Sequence, residues 1–349
     1  MTTRDRAAGR AGAEATTVPA LALRGVVKRY GEITAVDGLD LTVPAGTCLG
    51  LLGPNGAGKT TEVRILSTLI RMDGGRATVG GADVNEDPRT VRTRIGLTGQ
   101  SAAVDEILTA RQNLRMFARL FHFDRAAARR RADELLEQFS LTEAADQQAG
   151  KFSGGMRRRL DLASSMILAP EVLFLDEPTT GLDPRGRSEV WDAVRQLADA
   201  GTTVLLTTHY LDEADKLSDR IAVIDHGRTI TEDTPDGLKR AIGGDRIEVV
   251  LCEPGDLDAA TQVVSRVAAS EPQVDTEELR VHAPVSERVA ALTDVARTLQ
   301  DARIRVEDIG LRRPTLDEVF LRLTGRPAES EEDSPGPSVA ENVPEGLRA

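Results

Sequence analysis

The sequence predicts an α/β core built around a phosphate-binding loop, with a helical subdomain inserted into the core and a small C-terminal α+β domain. Three observations support this fold class. A glycine-rich loop lies between a short apolar run and a helical pattern in residues 49–69. Further apolar runs alternate with helical segments, which is typical of a parallel sheet. From about residue 246 the predicted elements follow the order of a split β-α-β sandwich.

The phosphate-binding loop is the most specific local signal. It consists of Gly53, Pro54, Asn55, Gly56, Ala57, Gly58, Lys59, Thr60 and Thr61. Its glycines and the following helix start can turn backbone N–H groups toward an anion. Lys59 can reach the β- and γ-phosphates, and the Thr60 hydroxyl can bind Mg²⁺. The alternative, a glycine-rich turn that happens to contain Lys-Thr, is disfavoured by the strand–loop–helix order. We therefore expect a nucleoside triphosphate and Mg²⁺ as ligands.

The composition limits what the chain can do. Its 349 residues are 40% hydrophobic, which is enough for one large domain or two smaller ones. The net charge of -12 disfavours a dedicated nucleic-acid-binding protein, so we expect no nucleic-acid partner. Cys48 and Cys252 form neither a disulfide framework nor a metal cluster, and we expect two buried thiols. Because no apolar run is long enough to cross a bilayer, a membrane role would need a partner.

The domain boundaries follow from changes in composition. Residues 1–20 and the acidic tail, residues 326–349, are predicted to be disordered. Between them we predict a core domain over residues 21–240, with the helical subdomain at about 101–168, and a C-terminal α+β domain over residues 246–325.

Two residues near predicted strand ends have more than one interpretation. Tyr30 precedes Gly31 and is either a surface turn residue or an aromatic face for a purine base. Such a stack contributes ~1–3 kcal/mol in nucleic-acid systems, and the spacing alone does not decide between the two. Gln100 follows the predicted strand Ile95–Thr98 and leads into the helical subdomain. A glutamine at a strand end is usually only a polar loop residue.

A second helix start with glycines lies at Ser153, Gly154 and Gly155. Ser153 is a good N-cap, so the bland interpretation is an ordinary capped helix. The functional interpretation is a second anion site at a helix N-terminus. In a chain with one phosphate-binding loop, a second such site raises the possibility of a site shared between two molecules.

Two predicted buried strands end in ionisable residues. Asp176 and Glu177 follow an apolar run, and two adjacent carboxylates there are costly unless they are used. Asp176 suits the Mg²⁺ shell, and Glu177 could polarise an attacking water. A surface pair that caps the strand is the minor alternative. His209 follows the next strand and, although a lone histidine is more often structural, it should face the same sheet edge. Asp183 lies in a turn before a further helix.

The ordered set of motifs resembles the ATP-binding cassette (ABC) transporter ATPases over about residues 21–237. The motifs read GPNGAGKTT, Gln100, FSGGM, VLFLDEP, GLD and TTH. The resemblance implies a P-loop NTPase (ABC ATPase) core. It also implies that Tyr30 stacks on adenine, and that Gln100 senses Mg²⁺ and couples to a membrane partner. By the same resemblance Glu177 is the general base, Asp183 lies at a dimer interface and His209 contacts the γ-phosphate.

The resemblance also implies how copies assemble and what they drive. The segment from Ser153 to Gly155 is similar to the signature that closes over the nucleotide held by the opposite subunit. A homodimer would then power a separate integral membrane permease from the cytoplasmic face of the membrane. The stretches TGQSAAVDEILT, FSGGMRRRLDLA and RRPTLDEVFLRLTG resemble the daunorubicin/doxorubicin-resistance type of drug-export ATPase. The alternative is a soluble ABC ATPase acting on ribosomes or DNA, which the single cassette and the acidic charge disfavour.

Overall fold

The computed structural model describes residues 18–241 and 245–325. Disorder was predicted for residues 1–20 and 326–349; residues 1–17 and 326–349 lie outside the described residues, and this stays a prediction. The described chain forms three sheets. Two of them belong to the core, and the third forms the C-terminal unit.

The first sheet is antiparallel, with the strand order β2-β1-β4-β5. Its strands are β1 (Leu21–Tyr30), β2 (Ile33–Val43), β4 (Gly74–Val79) and β5 (Ala82–Asp83). Buried and exposed residues alternate along β2, as expected for a sheet with one face on the core. Its buried side chains pack against those of the central sheet in one hydrophobic cluster.

The central sheet has the order β10-β9-β3-β8-β7-β6, and all its strands except β10 are parallel to their neighbours. Its strands are β3 (Cys48–Leu52), β6 (Ile95–Thr98), β7 (Val172–Asp176), β8 (Thr203–Thr208), β9 (Arg220–Asp225) and β10 (Arg228–Asp233). Every residue of β3, β7 and β8 is buried, as the apolar runs predict. Because the strands are parallel, the segments that follow them meet at one edge of the sheet.

Eight helices of the described core pack around these sheets. They are α1 (Lys59–Leu66), α2 (Pro88–Arg94), α3 (Ala110–Leu120), α4 (Arg125–Gln138), α5 (Gly154–Ser165), α6 (Pro184–Asp199), α7 (Leu211–Leu217) and α8 (Pro235–Ala241). Side chains cap several of them in the expected way, including Thr109 in a capping box at α3. Helices α3, α4 and α5 pack on one another within the segment predicted to be helical.

The C-terminal unit is the predicted split β-α-β sandwich. Its strands are β11 (Arg246–Leu251), β12 (Gln273–Asp275), β13 (Arg280–Pro284) and β14 (Val306–Arg312), in the antiparallel order β12-β13-β11-β14. Its helices are α9 (Leu257–Ser265), α10 (Arg288–Asp301) and α11 (Leu316–Thr324). The last helix packs back onto the core, where Leu316, Val319 and Phe320 join the side chains of Leu211 and Leu238.

Two further expectations concern single features. Cys48 is buried, but Cys252 is exposed, so the expectation of two buried thiols is wrong for Cys252. The reason is its position directly after the end of β11, beyond the last buried strand residue. Within residues 18–241 and 245–325, we find no helix with the length and apolar character needed to span a membrane.

Candidate active site

The phosphate-binding loop curls around its own lysine. Lys59 is buried, and its Nζ donates hydrogen bonds to the carbonyl oxygens of Gly53 at 2.6 Å and Pro54 at 3.1 Å. Gly58 has a φ of 107°, and a Cβ there would lie 2.4 Å from the carbonyl oxygen of Ala35, so the turn requires glycine. A buried ammonium group inside a tight glycine turn fits a phosphate group. The other predicted loop residues lie in the same turn or begin α1, namely Asn55, Gly56, Ala57, Thr60 and Thr61.

A hydroxyl and a carboxylate meet beside this loop. Thr60 Oγ1 donates to Asp176 Oδ1 at 3.2 Å, and Thr207 Oγ1 donates to the same oxygen at 2.6 Å. Within the described ranges no three His, Cys, Asp or Glu side chains cluster as a ready-made metal site. This donor set fits Mg²⁺, which proteins usually hold through one or two carboxylates together with the phosphates of the substrate.

Glu177 follows Asp176 in a strained backbone conformation. Its φ is 50°, in the left-handed region that costs free energy for a residue other than glycine. Its backbone N–H donates to the carbonyl oxygen of Thr207 at 3.1 Å and to Oγ1 of the same residue at 3.2 Å. These two bonds to β8 hold the turn that carries Glu177.

The Glu177 carboxylate lies against His209. His209 Nδ1 is 3.3 Å from Glu177 Oε1, within ion-pair distance, although the ring N–H is not aligned as a hydrogen-bond donor. The two side chains are only 7% and 11% exposed. Contact with His209 holds the pKa of Glu177 below its usual value, against the opposing effect of burial, and the charge of Lys59 adds to it. Glu177 is therefore a carboxylate at neutral pH, able to accept a hydrogen bond from water.

Gln100 and Tyr30 lie at the surface. Gln100 follows the end of β6 and its side chain is exposed. Tyr30 ends β1 at a hairpin, is 46% exposed, and has Lys28 Nζ 5.5 Å from its ring centroid. An exposed aromatic face suits stacking on a base, but an exposed hairpin tyrosine is equally ordinary. Both interpretations of Tyr30 therefore stay open.

Two helix N-termini lie side by side away from the phosphate-binding loop. Ser153 is exposed and caps α5, its Oγ accepting from the Met156 N–H at 3.2 Å. Asp183 is exposed and caps α6, accepting from the Gly186 N–H at 3.1 Å. The helices touch at Gly155, where a Cβ would lie 2.8 Å from the Cα of Gly186. Helix α5 packs on α3, α4, α6 and β6, whereas α1 packs on β2, β4 and β7.

Sequence reasoning missed two residues that organise the site. Thr207 bonds to Asp176 and to the backbone of Glu177, because β7 and β8 pair with Asp176 opposite Thr207. The sequence signal that could have revealed Thr207 is its position as a polar residue near the end of a fully buried strand. Arg158 lies inside a run of three arginines, yet it is 6% exposed and bonds to Gly99 and Pro178. Only its place on the apolar side of α5 could have revealed it.

Comparison with protein families matches two parts of the chain. Residues 36–180 match the family described as "ABC transporter". Residues 234–324 match the family described as "ATP-binding protein DrrA1-3-like, C-terminal domain". The second match covers the C-terminal sheet and α11.

Curated relatives match the chain over most of its length. The "Daunorubicin resistance ATP-binding protein DrrA2" of Streptomyces coeruleorubidus is 70% identical, over 87% of this chain and 95% of the relative. The "Daunorubicin/doxorubicin resistance ATP-binding protein DrrA" of Streptomyces peucetius is 50% identical, over 89% of this chain and 94% of the relative. The "Nod factor export ATP-binding protein I" of Ralstonia nicotianae is 41% identical, over 89% of this chain and 95% of the relative.

Solved structures match the core. One, titled "Structure of ATP binding subunit of ABC transporter", has a TM-score of 0.56 and 26% identity, over 64% of this chain and 92% of that one. Another is a dimeric ATP-binding cassette in a post-hydrolysis state bound to ADP and Pi. It has a TM-score of 0.55 and 25% identity, over 61% of this chain and 98% of that one. The chain therefore belongs to the ATP-binding proteins of ABC transporters, in the group of the DrrA-type daunorubicin/doxorubicin-resistance ATPases.

Proposed function

We propose that this chain hydrolyses ATP at the sheet edge where the phosphate-binding loop, Asp176, Glu177 and His209 meet, and that hydrolysis drives drug export. The single observation that carries the chemistry is the Glu177 carboxylate, held 3.3 Å from His209 beside the loop lysine. An ionised carboxylate at this position accepts a hydrogen bond from water and aims it at a phosphate. Because its pKa is lowered, Glu177 orients the water more than it removes a proton.

The other residues bind the nucleotide and balance its charge. Lys59 exchanges its contacts with loop carbonyls for phosphate oxygens, and His209 contacts the γ-phosphate as well as Glu177. Thr60, Asp176 and Gln100 would hold Mg²⁺, which neutralises charge on the phosphate oxygens when it is bound. Tyr30 stacks on the adenine.

We further propose that the site is shared between two copies of the chain. Ser153 is exposed at the start of α5, and a helix N-terminus of this kind can present backbone N–H groups to an anion. The segment from Ser153 to Gly155 would bind the nucleotide held by the other copy, and Asp183 would lie at the same interface. The dimeric cassette among the similar solved structures supports this arrangement.

The transport role comes from the relatives. Two of them are named for daunorubicin resistance and one for Nod factor export, all as ATP-binding proteins. Those names favour transport over the alternative of an ATPase acting on ribosomes or DNA. The chain would then act at the cytoplasmic face of the membrane, bound to an integral membrane permease that forms the path for the drug.

Replacing Glu177 tests the chemistry. Glu177→Gln keeps the shape of the side chain but removes the charge that orients water. We expect ATP binding to persist and turnover to fall at least ~100-fold, with the variant collecting as an ATP-bound dimer. Steady-state phosphate release and sedimentation with ATP measure both effects.

The matched control for this variant is Glu171→Gln. Glu171 precedes the same strand at its opposite end, and its side chain is 62% exposed. The control should turn over ATP as the wild type does. Near-normal turnover in Glu177→Gln would show that another group orients the water.

Vesicle transport tests the export role. Inverted membrane vesicles that hold the chain and its candidate permease should accumulate daunorubicin only with ATP present. Vesicles with the Glu177→Gln variant should not accumulate it. Equal accumulation with wild type and variant would contradict export, and ATP-dependent co-sedimentation with ribosomes would favour the alternative.

A further inference from the structure

A buried ion pair lies one helical turn after the exposed start of α5. Arg158 and Asp161 are 6% and 4% exposed, and Arg158 Nη1 lies 3.3 Å from Asp161 Oδ2. Burying two charges is costly unless other groups satisfy their remaining donors and acceptors. The hydrogen bonds that the two side chains make show which backbone segments the pair holds in place.

One side of the pair holds the loop that carries Gln100. Arg158 Nη1 donates to the carbonyl oxygen of Gly99 at 2.6 Å. Asp161 Oδ1 accepts from the Ala103 N–H at 2.9 Å. The two bonds fix both ends of the segment 99–103, so that Gln100 projects from a loop that is anchored on each side.

The other side of Arg158 holds the turn that carries Glu177. Its Nε donates to the carbonyl oxygen of Pro178 at 2.7 Å, and its Nη2 reaches the carbonyl oxygens of Asp176 at 3.5 Å and Glu177 at 3.4 Å. This is the turn in which Glu177 has a φ of 50°. A strained backbone conformation persists only where surrounding contacts fix it.

We propose that Arg158 and Asp161 are positioning residues that fix the Gln100 loop and the Glu177 turn relative to each other. The two segments follow different strands, β6 and β7, and a planar guanidinium with five donors can bond to both at once. A lysine ammonium is a single point charge without the spread donors of a guanidinium, so it can bond to only some of these carbonyl oxygens. The pair lies on α5, the helix that Ser153 caps. This inference rests on the proposed roles of Gln100 and Glu177.

The chain offers a matched control in Arg131. Its guanidinium also bonds to backbone carbonyls, those of Ile167 at 3.1 Å and Met166 at 2.6 Å, beyond the far end of α5. Arg131→Lys therefore removes the same kind of contact at a place away from the sheet edge.

Hydrogen exchange of the full chain without nucleotide tests the linkage, independently of any ATPase activity. In Arg158→Lys we expect faster exchange in peptides that cover residues 99–103 and 176–180. In Asp161→Ala we expect the Ala103 amide to lose protection. Arg131→Lys should leave both of these segments as they are in the wild type. Unchanged exchange of either segment in Arg158→Lys would overturn the inference.

Steady-state kinetics separate positioning from a merely structural role. Arg158→Lys should lower kcat by about tenfold or more, because small displacements of reacting groups are costly. Its Kd for a fluorescent ATP analogue should stay within about twofold of wild type, since ground-state binding is retained. If the fall in kcat of Arg158→Lys only matched a fall in the fraction of folded protein, the inference would be overturned. Absence of ATPase activity in the wild type would instead refute the proposed function, while the exchange result would still stand.

Discussion

At the scale of single residues, Glu62 carries a carboxyl group that the fold buries. It lies in α1, is 1% exposed, and its Oε1 has no hydrogen-bond partner. Burial raises its pKa from 4.5 to about 8. The folded protein therefore holds this proton at pH values where the unfolded chain has released it.

This difference makes stability depend on pH. Because the pKa is raised on folding, the contribution of Glu62 is fully present below pH 4.5 and is lost as the pH rises to about 8. We expect the wild type to lose ~4 kcal/mol of unfolding free energy over that window through this group. Glu62→Gln cannot ionise, so it should be more stable than the wild type at about pH 9 and similar at about pH 4.

Urea unfolding at both pH values measures the effect. Glu171→Gln, at a largely exposed carboxylate, is the control and should follow the pH dependence of the wild type. The interpretation would be wrong if Glu62→Gln lost stability toward high pH as steeply as the wild type does.

Glu62 also shows where sequence reasoning stops at this scale. The loop motif identified Lys59 and Thr60, because their chemistry follows from the strand–loop–helix pattern. It gave no reason to examine Glu62, since a charged residue early in a helix is ordinarily solvent-exposed. Which side of α1 is covered depends on packing that the motif does not encode.

At the scale of elements, α11 joins the C-terminal unit to the core. It packs on α7, which follows His209, and on α8. Thr315 caps the start of this helix, where its Oγ1 accepts from the Glu318 N–H at 3.4 Å. That it packs on the core could not be predicted, because an amphipathic helix does not specify the surface that covers it.

Truncating one side chain of α11 tests this contact. Phe320 is 3% exposed in the cluster shared with the core, so Phe320→Ala should cost ~3 kcal/mol of unfolding free energy. The adjacent Leu321 is 50% exposed, and Leu321→Ala should change stability by less than ~0.5 kcal/mol. Chemical unfolding of both variants is the measurement. Equal effects would mean that α11 does not pack as described.

The strand register explains why the role of Thr207 could not be predicted from the sequence pattern. The buried runs predicted β7 and β8 and placed the residues that follow them at the same edge of the sheet. The bonds from Thr207 to Asp176 and Glu177 depend on Asp176 lying opposite Thr207. A shift of one residue would turn the Thr207 side chain to the other face of the sheet. Composition and periodicity do not fix that register.

At the scale of the whole molecule, the described chain holds the residues of the proposed nucleotide site in two places. The phosphate-binding loop, Asp176, Glu177 and His209 meet at the edge of the central sheet. Ser153 and Asp183 cap α5 and α6, exposed to solvent. Most of the fold could be predicted from alternating apolar runs and helical patterns. The proposed assembly of the two places into one site could not be predicted from these patterns, because it would depend on a second copy.

A mixing experiment tests the shared site, which is the central claim. Ser153→Arg places a bulky charge in the segment that would face the other copy's nucleotide. Glu177→Gln removes the carboxylate that we propose orients the water. Each variant alone should be nearly inactive. In a mixed dimer, the phosphate-binding loop of the Ser153→Arg copy meets the unaltered Ser153 segment of the Glu177→Gln copy, so one site is intact.

Single-turnover phosphate release from an equimolar mixture is the measurement. With random pairing, half of the dimers are mixed and each has one intact site of two, so we expect roughly a quarter of wild-type release. If Ser153 acts on the nucleotide of its own chain, every site in the mixture carries a defect. Release that stays at the average of the two separate variants would therefore contradict the shared site.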